Sequence, residues 1–242
     1  MSATPLDILA IAAHRDDVEQ TCGGTLLKAA QRGQRTGILD LTQGEIGTRG
    51  TAEDRAREAA EAAKILGAGW RRALDIPDGR VENTWENRLK VAGVIRDTRP
   101  RVVILPYWKG RHPDHYTCSV LGYEACFLAG LAKLSLGSQP LAPHRPFKII
   151  YATLYYDVRP TFVVDISAQF EQKFDSILAY KSQFTDQEAG KDLFPAHDEI
   201  HARVDSMARY YGALGGVTYA EPFLQKEVGL VEDLMAIPVK SI

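Results

Sequence analysis

The sequence predicts an α/β protein with a doubly wound, mostly parallel sheet that has helices on both faces. Short apolar runs alternate with helix-forming stretches along most of the chain, and this alternation is typical of βαβ units with right-handed crossovers. The length of 242 residues, with 45% hydrophobic and 25% charged residues, suits one domain with a sizeable core. We therefore expect a single Rossmann-like domain over residues 1–242.

The first strand is predicted where residues 6–13 form an almost continuous apolar run, as in a parallel strand buried on both faces. A helix follows over residues 22–32 and ends at Gly33, a favourable C-cap. Thr51 is an acceptable N-cap for the alanine-rich helix expected over residues 52–66. By the same criteria we expect strands over residues 36–41, 72–76, 101–105, 147–156 and 161–166, helices over residues 86–97, 116–132, 167–184 and 198–214, and irregular chain after that.

The loops after the first and fourth predicted strands are expected to lie side by side. In the common strand order of a doubly wound sheet, these two strands are neighbours at the point where the winding reverses. The loops at their carboxyl ends then part and leave a crevice, which is where ligands bind in open α/β sheets. The residues that follow Ala13 and Leu105 are therefore brought to one place.

Each of these two loops carries a segment rich in histidine and aspartate. Residues 13–19 and residues 111–115 together contain six candidate ligands, namely His14, Asp16, Asp17, His112, Asp114 and His115. A catalytic zinc needs three nitrogen or oxygen ligands from the protein and keeps one position open for water. The other three side chains would remain to act as a base, an oxyanion donor or an orienting partner. This surplus favours an enzyme over a structural metal site.

Other interpretations of these residues are weaker. Either segment alone would be typical of a polar surface turn, but two such segments at corresponding strand ends favour metal catalysis. Gly23 and Gly24 suggest a dinucleotide site, yet the GxGxxG pattern is absent there, and Asp16 and Asp17 would repel a phosphate. We expect these glycines to permit tight packing instead. The remaining histidines are not expected to be ligands; they are His144, His197 and His201.

The composition excludes several classes of partner. A net charge of −2 and a pI near 6.3 give no sign of a nucleic-acid surface, and no segment stays apolar for the roughly 18 residues of a membrane span. The three cysteines form no CxxC pair and are expected in the core, as in a reducing compartment. The first residues lack the features of a signal peptide. These observations predict a cytoplasmic protein that acts on a small molecule.

The two histidine-aspartate segments resemble the signatures of a known enzyme family. Residues 13–19 are similar to the AHPDDxE signature of the PIG-L/LmbE-like N-acetylglucosamine deacetylases, and residues 112–115 are similar to that family's HPDH signature. The resemblance extends over nearly the whole chain. Residues 44–51, 180–184 and 219–223 are similar to the branch that deacetylates N-acetylglucosaminyl-malate in bacillithiol biosynthesis.

The resemblance implies a metal site, carried over by position. One zinc per chain, or iron(II) as the alternative, would be held by His14, Asp17 and His115. Two neutral imidazoles and one carboxylate would leave the metal enough positive charge to bring the pKa of a bound water towards roughly 7. Asp16 would be the general base that takes the proton of this water.

The resemblance also implies roles for residues around the metal. His112 would donate to the developing oxyanion and would be kept protonated by Asp114. Arg55 would contact the substrate or its tetrahedral intermediate, although its charged neighbours alone would predict a solvated helix face. Arg15 stands where the family usually has proline, and we expect this difference to alter the conformation of the loop.

These roles imply a zinc-dependent hydrolase of the acetamide of an N-acetylglucosaminide, with N-acetylglucosaminyl-malate as the favoured substrate. Deacetylation of chitin-derived sugars and hydrolysis of bacillithiol conjugates are the alternatives within the same chemistry. A non-catalytic metal-binding or sugar-binding module is disfavoured, because such a module needs no base beside its metal. Arg111 is expected to bind substrate, and Arg49 and Lys109 are further positive groups that could pair with malate carboxylates. Family members often form symmetric assemblies, so a homo-oligomer is compatible with the resemblance.

Overall fold

The computed structural model describes residues 5–136, 141–184, 197–237 and 239. Two of the expectations above lie outside this part of the chain, because they concern residues 1–4, where no signal peptide is expected, and the side chain of His197. Within the described part, no helix combines the length and the apolar character that crossing a membrane requires.

Along the described chain, strands and α-helices alternate up to the fifth strand, as the sequence predicted, and are followed by a sixth strand, three helices and a seventh strand. The strands are β1 (Ile8–Ala12), β2 (Thr36–Asp40), β3 (Trp70–Ala73), β4 (Val102–Pro106), β5 (Lys148–Ala152), β6 (Phe162–Asp165) and β7 (Ala220–Leu224). The helices are α1 (Asp17–Gln31), α2 (Ala52–Ile65), α3 (Trp85–Thr98), α4 (Pro113–Ala129), α5 (Phe170–Leu178), α6 (Lys181–Phe184) and α7 (His197–Gly215).

The strands form one mixed sheet in the order β3-β2-β1-β4-β5-β7-β6. The first five of these are parallel, whereas β7 runs antiparallel to both β5 and β6. The predicted α/β class with a mostly parallel, doubly wound sheet is therefore confirmed. The predicted contact between the first and fourth strands is confirmed as well, because Ile8 pairs with Val102 and Ala10 with Ile104.

Strand β1 is buried on both faces, which explains its continuous apolar sequence. Leu9 and Ile11 belong to a core cluster that also contains residues of α3 and α4 on one side of the sheet. Ala10 and Ala12 belong to a second cluster with residues of α1 on the other side. Burial on both faces removes the polar alternation that a half-exposed strand would show. The cysteines are buried and unbridged, as expected; they are Cys22, Cys118 and Cys126.

Some predicted boundaries are wrong. The first helix begins at Asp17 and not at residue 22, because its first turn is occupied by acidic residues that lack the apolar period of a helix. The helix predicted over residues 167–184 is two helices, α5 and α6.

The chain after Gly215 was expected to be irregular, but it contains β7, an inner strand of the sheet. Glu221 and Pro222 interrupt its apolar pattern, so hydrophobic periodicity does not predict a strand here. Both residues are nevertheless buried in the structure. The sequence signal fails here because a charged residue fills an interior position.

Glu221 is buried because its carboxylate accepts hydrogen bonds from backbone N–H groups that follow a break in α1. The backbone of Cys22 is non-helical, with φ −140° and ψ 17°. After this break, the backbone N–H groups of Gly24 and Thr25 donate to the Glu221 carboxylate at 2.9 and 2.7 Å. Lys173 on α5 neutralises the same carboxylate at 2.6 Å, and its side chain is only 4% exposed. A Cβ on Gly24 would lie 3.1 Å from Glu221 Oε1, so Gly24 permits close packing, as predicted.

We expect Glu221→Gln to lower the free energy of unfolding by about 3–5 kcal/mol, because Lys173 would keep a buried charge with no anionic partner. Urea unfolding of the variant and the unchanged protein measures this loss. Glu171→Gln, at an exposed position of α5, is the control and should stay within about 0.5 kcal/mol. A loss no larger in Glu221→Gln than in the control would contradict the role given to this ion pair.

Candidate metal centre

The two histidine-aspartate segments meet at the carboxyl ends of β1 and β4. His14 lies between β1 and α1, Asp17 opens α1, and His115 lies in the first turn of α4. The His14 Nδ1 atom is 3.2 Å from His115 Nε2 and 3.5 Å from Asp17 Oδ2. The Asp17 Oδ1 atom is 3.2 Å from His115 Nε2. Two imidazole nitrogens and one carboxylate, from two distant parts of the sequence, thus lie close together.

These spacings fit a tetrahedral metal ion. Ligand atoms that lie 2.0–2.1 Å from zinc at tetrahedral angles are separated from one another by about 3.3–3.4 Å. The two imidazole nitrogens are 3.2 Å apart, and the Asp17 carboxylate approaches them with different oxygens, Oδ2 at 3.5 Å from His14 and Oδ1 at 3.2 Å from His115. The side chains are mostly buried, with exposed fractions between 10% and 18%. The trio therefore fits a divalent ion that keeps one further position open.

A second possible ligand set shares two of these histidines. His14, His112 and His115 also bring one nitrogen each within 4.8 Å of one another. We favour the set with Asp17, because it includes a carboxylate that contacts both His14 and His115. In addition, the Nδ1 atom of His112 already accepts a hydrogen bond from the backbone N–H of Asp114 at 3.2 Å.

The electrostatic environment favours a bound cation. Burial alone would lower the pKa of His14, but Asp114, Asp17 and Asp78 outweigh it and raise this pKa to about 12. Burial likewise opposes the charged form of Asp17, yet His115 and His14 hold its pKa well below the usual range. Carboxylates therefore outnumber the positive groups around His14, and a divalent ion would supply the missing charge.

The other ring nitrogen of His14 faces two carboxylates. His14 Nε2 is 3.2 Å from Asp114 Oδ2 and 3.2 Å from Asp78 Oδ1. Asp114 is held in turn by the backbone N–H groups of Gly79 and Val81, at 2.9 and 3.2 Å. A carboxylate behind a metal-binding histidine fixes its tautomer and orientation, so that the Nδ1 lone pair points at the metal.

This arrangement corrects the expected partner of Asp114. Its carboxylate was expected to orient His112 and keep it protonated, but it contacts His14 instead. Only the backbone N–H of Asp114 contacts His112, and it donates to Nδ1. This contact favours the neutral tautomer of His112 that carries its proton on Nε2, because a nitrogen that accepts a hydrogen bond has its lone pair free. Burial and the charges of His14 and His115 lower the pKa of His112, which also favours the neutral form.

Asp16 lies beside the trio in an unusual backbone conformation. Its φ of 98° is in the left-handed region, which residues other than glycine rarely adopt. Such strain is often found at functional sites. Burial raises the pKa of the Asp16 carboxyl to about 7, although the nearby Arg55 opposes the shift. A carboxylate with a pKa near neutrality is well matched to accept and return a proton at that pH.

Arg55 is buried and directed at the loop that carries Asp16. One guanidinium nitrogen is 3.4 Å from Asp16 Oδ1, and the same nitrogen donates to the backbone carbonyl of Arg15. Only 7% of the Arg55 side chain is exposed. The contacts of Arg55 in the structure are therefore with Asp16 and its loop, and a solvated helix face is excluded.

Arg15, at the position where the family usually has proline, ties two loops together. Its guanidinium donates to the carbonyl of Gln43 at 3.1 Å and to the carbonyl of Ala52, at the start of α2, at 2.8 Å. Arg55 reaches back from α2 to the carbonyl of Arg15. The two arginines thus make reciprocal contacts between the loop that carries Asp16 and the glycine-rich loop before α2.

We expect Arg15→Ala to lower kcat by between about 10- and 100-fold, because small displacements of a positioned catalytic group have effects of this size. The metal content should not change, since Arg15 contacts none of the three proposed ligand atoms. Steady-state kinetics and elemental analysis measure both quantities. Arg35→Ala is the control, because the Arg35 side chain is 53% exposed and lies before β2, at the opposite end of the strand from the site. Full activity in Arg15→Ala would show that the contacts of Arg15 with Gln43 and Ala52 are not needed for catalysis.

The positive groups expected around the substrate have different surroundings. Arg111 is exposed just before α4, and Lys109 lines the crevice between β1 and β4 together with Asp17 and His115. Arg49 is 4% exposed and donates to the carbonyl of Gln183 at 2.8 Å. The expectation that Arg49 could pair with a substrate carboxylate is therefore wrong, because its guanidinium is buried in a contact within the protein.

Two residues near the centre were not singled out in the sequence. Asp78 follows β3, and a Pro-Asp-Gly turn at the carboxyl end of a parallel strand would have been the available signal. Tyr155 has a φ of 50° and donates to Gln20 at 2.9 Å. Burial and the charge of Asp16 raise the pKa of its hydroxyl. No sequence pattern marked it.

The segment 180–184, which resembles the bacillithiol branch, contacts the elements that carry the site. The Tyr180 hydroxyl donates to Glu19, in the first segment, at 3.0 Å. Ser182 donates to Glu58 on α2, and the Gln183 amide donates to the carbonyl of Arg49 at 2.7 Å. These contacts connect α1, α2 and the glycine-rich loop of residues 44–50. The role of the segment is therefore to position these elements.

Comparisons with known proteins show the family to which the chain belongs. The family described as GlcNAc-PI de-N-acetylase, PIG-L, matches residues 9–126. Diacetylchitobiose deacetylase of Thermococcus kodakarensis is 33% identical over 225 residues, which cover 88% of this chain and 80% of that protein.

Solved structures show the same architecture. A conserved protein from Thermus thermophilus has a TM-score of 0.83 and 42% identity, over 94% of this chain and 98% of its own. The N,N'-diacetylchitobiose deacetylase of Pyrococcus horikoshii has a TM-score of 0.78 and 26% identity, over 89% of this chain and 82% of its own.

Proposed function

Because this chain belongs to the PIG-L family of de-N-acetylases, which are hydrolases acting on amides, we propose that it removes the acetyl group of an N-acetylglucosaminide in a metal-dependent reaction. The observation that carries this proposal is the arrangement of His14, Asp17 and His115 at tetrahedral spacing, with Asp16 beside them. A metal site and an adjacent base are the parts that hydrolysis of an unreactive amide needs.

We assign the metal to His14, Asp17 and His115. Zinc suits two imidazoles and a carboxylate, and iron(II) is compatible with the same donors. A divalent ion bound there would polarise the acetamide carbonyl and make the attacking water more acidic. Asp114 and Asp78 would hold the far nitrogen of His14, so that its Nδ1 lone pair stays available.

The protein's own groups would manage the protons. Asp16 would accept a proton from the attacking water and later deliver it to the nitrogen of the leaving amine, so that acetate and a free amino sugar are formed. His112 would donate its Nε2 proton in a hydrogen bond to the oxygen on which negative charge develops. Arg55 would keep the Asp16 carboxylate directed at the reacting atoms.

The substrate that we favour is N-acetylglucosaminyl-malate. The segments 44–51, 180–184 and 219–223 support this choice through their resemblance to the bacillithiol branch. Arg111, exposed at the edge of the site, could pair with a malate carboxylate. The second candidate is a chitin-derived sugar such as diacetylchitobiose, which the 33% identity to the enzyme of Thermococcus kodakarensis favours.

A side-by-side assay of acetate release separates these candidates. N-acetylglucosaminyl-malate and diacetylchitobiose are supplied to the zinc-loaded protein, and kcat/KM is measured for each. We expect the malate conjugate to have the higher value, and Arg111→Ala to raise KM for this substrate more than for diacetylchitobiose. A preference for diacetylchitobiose would select the second candidate. Metal binding without any acetate release would favour a non-catalytic module.

A further inference from the structure

Three charged side chains form a buried ion-pair network between α1 and the sheet, which we call the Arg71 network. Its members are Glu19 on α1, Asp40 at the end of β2 and Arg71 on β3. The side chains of Glu19 and Asp40 are 0% and 1% exposed, and that of Arg71 is 9% exposed. Well-packed apolar residues often give equal or greater stability than a buried ion pair, so stability alone does not account for this network.

The geometry of the sheet brings Arg71 to Asp40. In the pairing of β2 with β3, Arg71 lies opposite Ile38, and Asp40 is the next residue of β2 on the same face. Diagonal neighbours of this kind are within reach of a long side chain. The Nε and Nη2 atoms of Arg71 donate to the two carboxylate oxygens of Asp40, each at 2.9 Å. This bidentate geometry fixes the orientation of the guanidinium as well as its position.

The remaining nitrogen of the guanidinium connects the sheet to α1. Arg71 Nη1 donates to Glu19 Oε1 at 2.5 Å and to the backbone carbonyl of Ala59 on α2 at 3.2 Å. The Tyr180 hydroxyl donates to the same Glu19 oxygen at 3.0 Å. Burial alone would lower the pKa of Arg71, but Asp40 and Glu19 outweigh it and hold this pKa well above its ordinary value. Arg71 therefore stays charged and joins β2, β3 and the first turn of α1.

The first turn of α1 follows directly on the strained residue Asp16. Glu19 lies three positions after Asp16, which has a φ of 98° and a ψ of −22°. A residue other than glycine persists in such a conformation only where the surrounding structure fixes its backbone. On the side before Asp16, Arg55 donates to the backbone carbonyl of Arg15. On the side after Asp16, the contact of Glu19 with Arg71 attaches the helix to the sheet. The backbone is thus held on both sides of Asp16.

We propose that Arg71 is a positioning residue for the reaction, which fixes Glu19 to Asp40 and thereby holds the Asp16 carboxylate where it accepts a proton. Arg71 acts through Glu19 and the first turn of α1, and not through contact with the substrate. The inference rests on the proposed function, because it takes Asp16 as the general base. A displacement of about 1 Å at a catalytic group can lower a rate by about 100-fold, so a positioning residue of this kind has a measurable effect.

The variant Arg71→Lys tests this proposal, because lysine keeps the charge but lacks the planar group that joins two carboxylates. We expect kcat for acetate release by the zinc-loaded protein to fall by about 10- to 100-fold. The value of KM should change by less than about threefold, since the substrate contacts remain. The metal content should stay the same. Steady-state kinetics and elemental analysis on one sample measure these quantities.

Arg96→Lys is the matched control, because it makes the same change at another buried arginine. Arg96 lies on α3, which packs on the other side of the sheet from α1. Its guanidinium donates to the backbone carbonyls of Ala129 and Leu131 at 2.8 and 2.6 Å. Loss of these buried hydrogen bonds should lower the melting temperature. Below that temperature Arg96→Lys should keep the kcat of the unchanged protein, so loss of stability is distinguished from loss of positioning.

Two further measurements separate positioning of Asp16 from a general structural role. If Arg71 acts through Asp16, adding Arg71→Lys to Asp16→Asn should lower the residual kcat by less than about threefold, because the positioned base is already absent. Hydrogen exchange gives a readout that is independent of activity. The N–H of Gln20 donates to the carbonyl of Asp16, and its exchange should be faster in Arg71→Lys and unchanged in Arg96→Lys.

A folded Arg71→Lys protein with full kcat would overturn the proposal, and so would a loss of kcat that is equally large in the Asp16→Asn background. If Arg71→Lys does not fold, as judged by far-UV circular dichroism, Glu19→Gln takes its place, because Arg71 then keeps Asp40 as an anionic partner. The same fall in kcat is expected for Glu19→Gln. Absence of acetate release by the unchanged protein would overturn the proposed function as well, whereas full activity of the variants would overturn only the role of Arg71.

Discussion

The variant Asp16→Asn is expected to lose between about 10²- and 10⁴-fold in kcat and to keep its metal, because positioned general-base catalysis contributes a factor of this size. Asparagine keeps the shape of the side chain and tolerates the left-handed backbone conformation, but its amide cannot accept a proton. Acetate release and elemental analysis on the same protein sample measure the two properties.

Asp17→Asn is the matched control for this result, since it removes a charge from the adjacent position. It should lower metal affinity, because Asp17 is the only anionic member of the proposed ligand set. If Asp16→Asn lost the metal while Asp17→Asn kept it, the roles of the two carboxylates would be exchanged.

The pH dependence of kcat/KM gives a separate view of Asp16. Burial raises the pKa of its carboxyl to about 7, so its basic form is present above that pH and is lost as the pH falls. A bound cation stabilises the carboxylate and moves this loss to lower pH. We therefore expect activity to decline on the acidic side at or below about pH 7, and Asp16→Asn to lose this limb. Because burial and the charges of His14 and His115 lower the pKa of His112, its protonated form is lost on the acidic side, and its titration should not produce an alkaline limb.

The variant His115→Ala is expected to lose tight metal binding and all metal-dependent turnover. It removes one of three ligands and leaves only His14 and Asp17, and two ligands rarely hold a divalent ion firmly. Zinc that binds the folded protein should raise the melting temperature, and this rise should be absent in the variant. Elemental analysis and thermal unfolding with and without added zinc provide the two readouts.

His201→Gln is the control for this experiment, because His201 on α7 packs against the Phe174 ring and lies outside the proposed site. It should keep both the metal and the thermal response. Full zinc occupancy in His115→Ala would remove His115 from the ligand set and would favour the set formed by His14, Asp78 and Asp114, whose potential ligand atoms also lie within 4.8 Å of one another.

The sequence predicted the convergence of the site because two strong patterns coincide. An apolar run buried on both faces marks β1 and β4, and polar residues at their carboxyl ends stand out against it. The rules for strand order in α/β sheets then bring His14 and His115 together. Both patterns can be recognised within short segments of the sequence. The strand order is then the only long-range information that is needed to bring the two segments together.

The parts that the sequence did not predict depend on contacts between distant residues. Nothing near Asp114 in the sequence indicates that its carboxylate faces His14 and not His112. Asp78 reaches the site only through the position of the β3 loop. Periodicity misses β7 because Glu221 owes its burial to Lys173 and to the break in α1. In each case a polar residue is buried through a partner that the one-dimensional pattern cannot show.

The contact between Glu221 and α1 can form only late in synthesis of the chain. Gly24 and Glu221 are separated by 197 positions, so α1 leaves the ribosome long before its acceptor is made. Domains generally fold as units, and the helix that begins with Asp17 gains its last support only when β7 enters the sheet. A chain that ends before β7 would therefore contain both histidine-aspartate segments but lack the Glu221 carboxylate that supports α1. We therefore expect a chain that ends before β7 to bind metal more weakly than the full chain.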